Sequence, residues 1–279
     1  MSRGGAGMFV AHISDPHVGA GRSLAFNVSD GALLLEKTVS HIAALPQLPD
    51  CLVLSGDISV NGQPCGYVIA AEALSTLPMP VYVLPGNHDK RENLVTGLGQ
   101  YCPADAAVAP YLCYTVEDFP LRLVFFDGTR PGSHSGHFAA PVAAWLEKTL
   151  AAQPGRPTLV FTHHPPFITA LGVMDEPYEN GESLGRILEK FPNVRLCCGH
   201  LHRYMFTMWH GVAALTAPPV CMHIVPDFCA TGGDDFTDEA PAFLLHHFVD
   251  GRVNTHYCRV PGEFAERGPF SFSHPPKLG

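Results

Sequence analysis

The stretch Val81–Asp89, VYVLPGNHD, decides how the rest of the chain is read. Its first four residues are apolar and rich in strand formers, so they read as a short buried strand. Pro85-Gly86 stops that strand, and Asn87, His88 and Asp89 follow at once: an amide, an imidazole and a carboxylate at one strand end. The same grammar recurs on both sides. Met8–Ile13 (MFVAHI) runs into Asp15-Pro16-His17, and Cys51–Leu54 (CLVL) into Ser55-Gly56-Asp57. Thr158–Thr162 runs into His163-His164-Pro165-Pro166, and Val194–Cys198 into Gly199-His200-Leu201-His202. In open α/β sheets, ligands bind beyond the carboxyl ends of the strands, so five such ends can converge on one crevice.

Helical patterns lie between the strands. Ser29–Leu45 places Leu35, Val39 and Ile42 on one face, with Ser29 or Asp30 as cap. Tyr67–Leu77 keeps Tyr67, Ala70, Leu74 and Leu77 in register, Pro141 opens a helix to about Ala152, and Glu182–Phe191 turns Leu184, Ile187, Leu188 and Phe191 inward. Leu121–Phe126 reads as a further strand, and Tyr204–Trp209 with Val212–Thr216 as a hairpin. Phe243–Val260 reads as two strands around the turn Asp250-Gly251. Thr129–Phe138 and Pro218–Ala240 read as long loops. The alternation indicates an α/β layered fold without internal repeats: one domain over 1–260 and a Gly-, Pro- and Ser-rich tail over 261–279.

With 279 residues, 46% of them hydrophobic, the chain can bury a sizeable core, and no apolar run is long enough to span a membrane. The lead Met1–Gly7 lacks the apolar stretch of a secretory peptide, which makes the cytoplasm the expected compartment. Nine cysteines without a CxxC pair read as reduced, mostly buried thiols. The net charge of −9 argues against long nucleic acids and anionic lipid surfaces, but not against a small anion held through bound cations.

Taken singly, each histidine reads as a packing residue and each aspartate as a turn former. Taken together, five successive strand ends bearing metal-ligand residue types do not. DxH, GD, GNHD, HH and GHxH, in this order over Asp15 to His202, resemble the motifs of calcineurin-like metallophosphoesterases. The double histidine followed by Pro-Pro looks most like the branch of class III cyclic-nucleotide phosphodiesterases and glycerophosphodiesterases. The resemblance implies a four-layered αββα sandwich with two metals at one end. It assigns Asp15, His17, Asp57 and His202 to the first metal and Asp57, Asn87, His163 and His200 to the second, with Asp57 bridging. Imidazole and oxygen donors without thiolate suit Fe, Mn, Zn or Co. The expected reaction is hydrolysis of a small phosphodiester by a metal-bridging hydroxide. His88 would contact the phosphate and protonate or stabilise the leaving oxygen, Asp89 would orient His88, and His164 would either support the site from outside or contact the substrate. His134, His137 and His223 read as loop histidines, and Asp234, Asp235, Asp238 and Glu239 as a solvated acidic loop.

Arginines that bind a monoester dianion are scarce around the motifs: Lys90-Arg91 after GNHD leave room for a basic contribution, and Arg203 is the other arginine near a motif. A singly charged diester needs none beyond the two metals. A phosphomonoesterase of the same fold is the alternative, and a metal-binding scaffold without turnover is disfavoured because every ligand position and His88 are filled. The resemblance also suggests a homo-oligomer, a dimer or larger.

Overall fold

Strands that are apolar on both faces need a covering layer on each side. The computed structural model describes residues 7–229 and 232–277, and it meets that need with two stacked sheets. In the first, β1 (Met8–Ile13), β2 (Cys51–Leu54) and β3 (Val81–Val83) run parallel. In the second, β5 (Arg122–Phe125), β6 (Thr158–Phe161), β7 (Val194–Cys198) and β9 (Val212–Thr216) run parallel. Two antiparallel edges, β4 (Tyr114–Val116) and β8 (Met205–Trp209), close that second sheet. A small third sheet holds β10 (His223–Ile224), β11 (Asp235–Asp238) and β14 (Arg267–Ser271), while the hairpin β12 (Ala242–Val249) and β13 (Arg252–Arg259) extends the first sheet beside β1.

Residue alternation along the strands sorts the core into layers. Leu123 and Phe125 face the first sheet, whereas Val124 joins the cluster under α4 (Ala140–Ala152) and α5 (Gly181–Leu188). Between the sheets, Tyr114, Phe125 and Phe161 stack with centroid separations of 4.4 and 5.1 Å. α1 (Gly31–Ala43) and α2 (Pro64–Leu74) cover the other face of the first sheet through Leu35, Val39, Ile42 and Tyr67. The order helix, sheet, sheet, helix is the αββα sandwich expected from the motifs.

Several boundaries move for identifiable reasons. Asp30, not Ser29, caps α1, accepting from the Leu33 amide at 3.0 Å. α2 begins three residues before Tyr67 because Pro64 supplies the fixed φ of a first helical turn. α3 (Arg91–Leu98) and β4 are too short to stand out in the sequence.

The C-terminal readings need more correction. Pro218–Ala240 is not all loop, since β10 and β11 lie in it, and the segment from 261, read as a tail, contains β14 paired to β11. The acidic run is not a solvated loop. Asp238 is buried, accepts from Ser29 Oγ at 2.7 Å and pairs with Arg267; Asp234 accepts from Ser271 Oγ at 2.8 Å and from the Ser273 amide. These carboxylates fasten the C-terminal strand to the body, a role invisible in composition. Among the described residues, no helix is long and apolar enough to cross a membrane.

Candidate metal centre

The five strand ends do converge. Asp15, His17, Asp57 and His202 present ligand atoms within 4.8 Å of one another, and His163, His164 and His200 form a second such group. All seven are buried. The turns that carry them are tight: Asp15, His17, Asp57, His200 and His202 all have positive φ, between 43° and 65°. Left-handed backbone at a non-glycine residue costs of order 1–3 kcal/mol and concentrates at functional sites. Glycine is required beside them. A Cβ on Gly56, itself at φ +100°, would lie 2.5 Å from His163 Nδ1, and one on Gly86 would collide with Asp57.

Hydrogen bonds to the backbone fix which atom each side chain turns inward. Asp15 Oδ2 accepts from the His200 amide at 3.1 Å, leaving Oδ1 fully buried without a donor among the described residues. Asp57 Oδ1 accepts from the His88 amide at 2.8 Å, so Oδ2 faces His17 Nε2 at 3.7 Å and His163 Nε2 at 3.3 Å. His163 Nδ1 donates to the Ser55 carbonyl at 2.7 Å and His202 Nδ1 to that of Met222 at 2.6 Å. Both rings therefore turn Nε2 inward. His17 and His202 oppose each other through Nε2 at 3.1 Å, and His163 Nε2 lies 3.2 Å from Asn87 Oδ1. Imidazole nitrogens and carboxylate oxygens crowded into a buried space, with Asp15 Oδ1 lacking a donor among the described residues, are the chemistry of a cation site. The donor set fits a dinuclear metal centre, and Asp57 Oδ2 faces one histidine of each group.

The electrostatics agree. Burial alone would raise Asp57, but His163, His88 and His17 hold it well below the usual carboxylate range. Burial raises Asp15 despite His202 and His163. His17 and His200 are driven well below their ordinary values by burial, and so stay neutral. Burial would lower His163 too, but Asp57 and Asp15 bring it up to about 9.

His88 stands at the rim. Its Nδ1 donates to the Val60 carbonyl at 2.6 Å, and its ring lies 4.8 Å from that of His17. The expectation that Asp89 orients His88 is not met. The Asp89 carboxylate points the other way and accepts from the amides of Ile58, Ser59 and Gly86 and from Tyr67 Oη, at 2.9–3.1 Å. It ties the loop after β2 to the loop after β3, and the Val60 carbonyl does the orienting.

His164 Nε2 donates to the His134 carbonyl at 3.0 Å, holding the 129–138 loop over the site. The His134 ring lies 5.6 Å from those of His88 and His200, so this loop histidine lines the cleft. His137 and His223 lie apart, beside Glu179 and the Ala240 carbonyl.

Two groups escaped the motif reading. Phe26, Val173, Met174 and Phe272 form an apolar wall over the histidines. A polar chain also runs beneath them: Thr255 Oγ1 to His246 Nδ1 at 2.9 Å, His246 Nε2 to His12 Nδ1 at 3.4 Å, and His12 Nε2 to Ser55 Oγ at 2.8 Å. His12 was visible only as an interruption in an apolar strand.

The model of the calcineurin-like phosphoesterase family matches residues 8–204, more than half of the chain. The protein belongs to that family. Among its relatives, the glycerophosphodiester phosphodiesterase GpdQ of Enterobacter lignolyticus is 34% identical over 267 residues, 95% of each chain. The 3',5'-cyclic adenosine monophosphate phosphodiesterase CpdA of Escherichia coli K12 is 29% identical, over 76% of this chain and 74% of that one. A purple acid phosphatase from yellow lupin seeds shares the fold with a TM-score of 0.61 and 14% identity, over 93% of this chain and 52% of that one.

Proposed function

We propose that this phosphoesterase hydrolyses small phosphodiesters at a two-metal centre. The observation that carries the proposal is the buried floor in which one Asp57 oxygen lies between His17 and His163 while Asp15 Oδ1 has no donor among the described residues. Asp15, His17, Asp57 and His202 would hold one metal, and Asp57, Asn87, His163 and His200 the other. Fe, Mn, Zn and Co all suit these donors. When bound, the pair would supply Lewis acidity and an activated water.

The protein's own groups do the rest. His88, anchored through Nδ1, keeps Nε2 free to contact a phosphate oxygen and to hand a proton to the departing alkoxide. Asp89 keeps the His88 loop in place against Ile58 and Ser59. His164 carries the 129–138 loop, which with the apolar wall limits water at the site.

A diester is favoured over a monoester by the fate of the two nearby arginines. Arg91 is turned onto Asp127 and Thr129, and Arg203 is spent on the Ile224 carbonyl. Neither is left to meet the second charge of a monoester dianion. The names of the relatives, for glycerophosphodiesters and for cyclic AMP, point the same way. Nine unpaired cysteines support a reducing compartment such as the cytoplasm. A homo-oligomer remains part of the proposal through the family resemblance alone.

The test is turnover of bis(4-nitrophenyl) phosphate beside 4-nitrophenyl phosphate, after chelation and again after Mn is restored. Metal-restored activity favouring the diester is expected. Activity mainly on the monoester would replace this reading with the phosphatase one.

A further inference from the structure

His88 belongs to two clefts at once. One, of about 480 Å³, holds the histidine floor and the wall of Phe26, Val173, Met174 and Phe272. The other, of about 450 Å³, opens on the far side of His88 and is bounded by Asn61, Asn87, Lys90, Glu92, Thr129 and Arg130. The two differ in chemistry. The first is lined mainly by aromatic and aliphatic side chains, with Phe272 5.1 Å from Phe26 and 5.7 Å from His202 between ring centroids, and Glu176, Asp234 and Ser273 complete its lining. The second mixes charges of both signs with amide and hydroxyl groups. Lys90 and Glu92 have no ion-pair partner among the described residues, whereas Arg91 is held by Asp127 and Arg130 by Glu179.

A phosphodiester has two arms, and a phosphate seated on the floor would send them in different directions. Resting on the phosphodiesterase reading, we infer that the substrates are acyclic, unsymmetrical diesters. A flat apolar arm, such as an aryl group or a nucleobase, lies along the Phe26–Phe272 wall. A small polar arm, hydroxylated or zwitterionic, passes His88 into the second cleft. Mixed charges suit such an arm, because hydroxyls take both donors and acceptors and a net-charged group would be repelled by one sign.

The same assignment names the bond that breaks. The ester oxygen beside His88 is that of the polar arm. Water oxygen bonds to phosphorus, the P–O bond to the polar arm breaks with its electron pair on that oxygen, and the released oxygen takes the proton that the water gives up. The products are the polar alcohol and the monoester of the flat arm. A 3',5'-cyclic nucleotide carries both ester oxygens on one sugar and cannot place unlike groups in the two clefts.

The test uses the metal-loaded full chain and the glycerol ester of adenosine 5'-phosphate. Both of its leaving groups are primary alkoxides, so the product ratio reports the site and not the leaving-group chemistry. AMP plus glycerol is expected to exceed adenosine plus glycerol phosphate by at least about fivefold, which corresponds to the ~1 kcal/mol that separates modest contacts. The mixed diester should also outrun 3',5'-cyclic AMP in kcat/KM. Phe272→Ala and the exposed Asn61→Leu should each move the product ratio toward one. A ratio at or below one, a ratio unmoved by both variants, or preference for the cyclic nucleotide would overturn the assignment. Turnover of bis(4-nitrophenyl) phosphate without turnover of the mixed diester would also sink the two-arm assignment alone, whereas no turnover of either sinks the phosphodiesterase reading itself.

Discussion

The floor and the wall of the cleft are built in contrasting ways. Every floor aspartate and histidine named in the two clusters is buried, and most spend one polar atom on a backbone partner, so each has one orientation. The wall is half-exposed. Phe26 precedes α1, Met174 sits in a short turn before α5, and Phe272 follows β14; Phe26 and Phe272 pack against each other and against Phe236 of the small third sheet. A rigid polar floor suits chemistry that tolerates little displacement, while a wall of rings from separate segments suits selection by shape. Perturbing the floor should therefore stop turnover, and perturbing the wall should redirect it.

The harshest way to break this contrast is Asp57→Asn. Removing the carboxylate between the two ligand groups should lower kcat by at least about 10³-fold, since each 1.36 kcal/mol of lost stabilisation is tenfold. Metal content measured on the same sample should fall with it; retained metals with retained turnover would show that Asp57 does not join the two groups.

His88→Ala comes next, because His88 belongs to the rim and not to the floor. An expected loss in kcat of about 10²–10⁴-fold with both metals still bound separates proton handling from metal holding. Loss of metals in this variant would move His88 into the floor.

A smaller effect tests the polar chain under the floor. Burial pushes His246 down to about 3, whereas an imidazole in an unfolded chain titrates near ~6.5. Between those values the unfolded chain binds more protons than the folded one. The stability tied to a neutral His246 is therefore fully present above pH ~6.5 and is lost as pH falls, by up to about 1.4 kcal/mol per pH unit. His246→Leu should flatten that slope in denaturant unfolding followed from pH 7 to pH 4. An unchanged slope would mean the ring is hydrated and not part of a dry chain.

The mildest expectation concerns the wall. Phe272→Ala should raise KM for an aryl diester roughly fivefold with kcat within about twofold, because a half-exposed ring gives a bound aryl group ~1 kcal/mol of apolar burial. A fall in kcat without a change in KM would place Phe272 among the groups that position the phosphate.

Much of the site was legible before the fold was known, and the reason is local. Asp15, His17, Asp57, Asn87, His163, His200 and His202 each follow a strand within a few residues, so the strand end delivers the side chain and the neighbouring glycine marks the tight turn. Asp89 shows where that logic stops. Its adjacency to His88 suggested a contact, yet consecutive residues in a turn point apart, and the carboxylate found four donors elsewhere. The tail reading failed because β14 pairs with β11, about thirty residues earlier in the chain, through ion pairs and hydrogen bonds that no local pattern records.

The sequence by itself determined the layered α/β class, the positions of the floor residues and the kind of metal chemistry they suit. These follow from short-range rules: the period of a strand, the conformation a turn demands and the donor atoms of a side chain. Only the tertiary structure decided which oxygen of Asp57 faces inward, that Arg91 and Arg203 are already engaged, and that Phe26, Met174 and Phe272 share one wall. Those facts depend on contacts between residues up to some 250 positions apart, where packing geometry and not local pattern selects the partner.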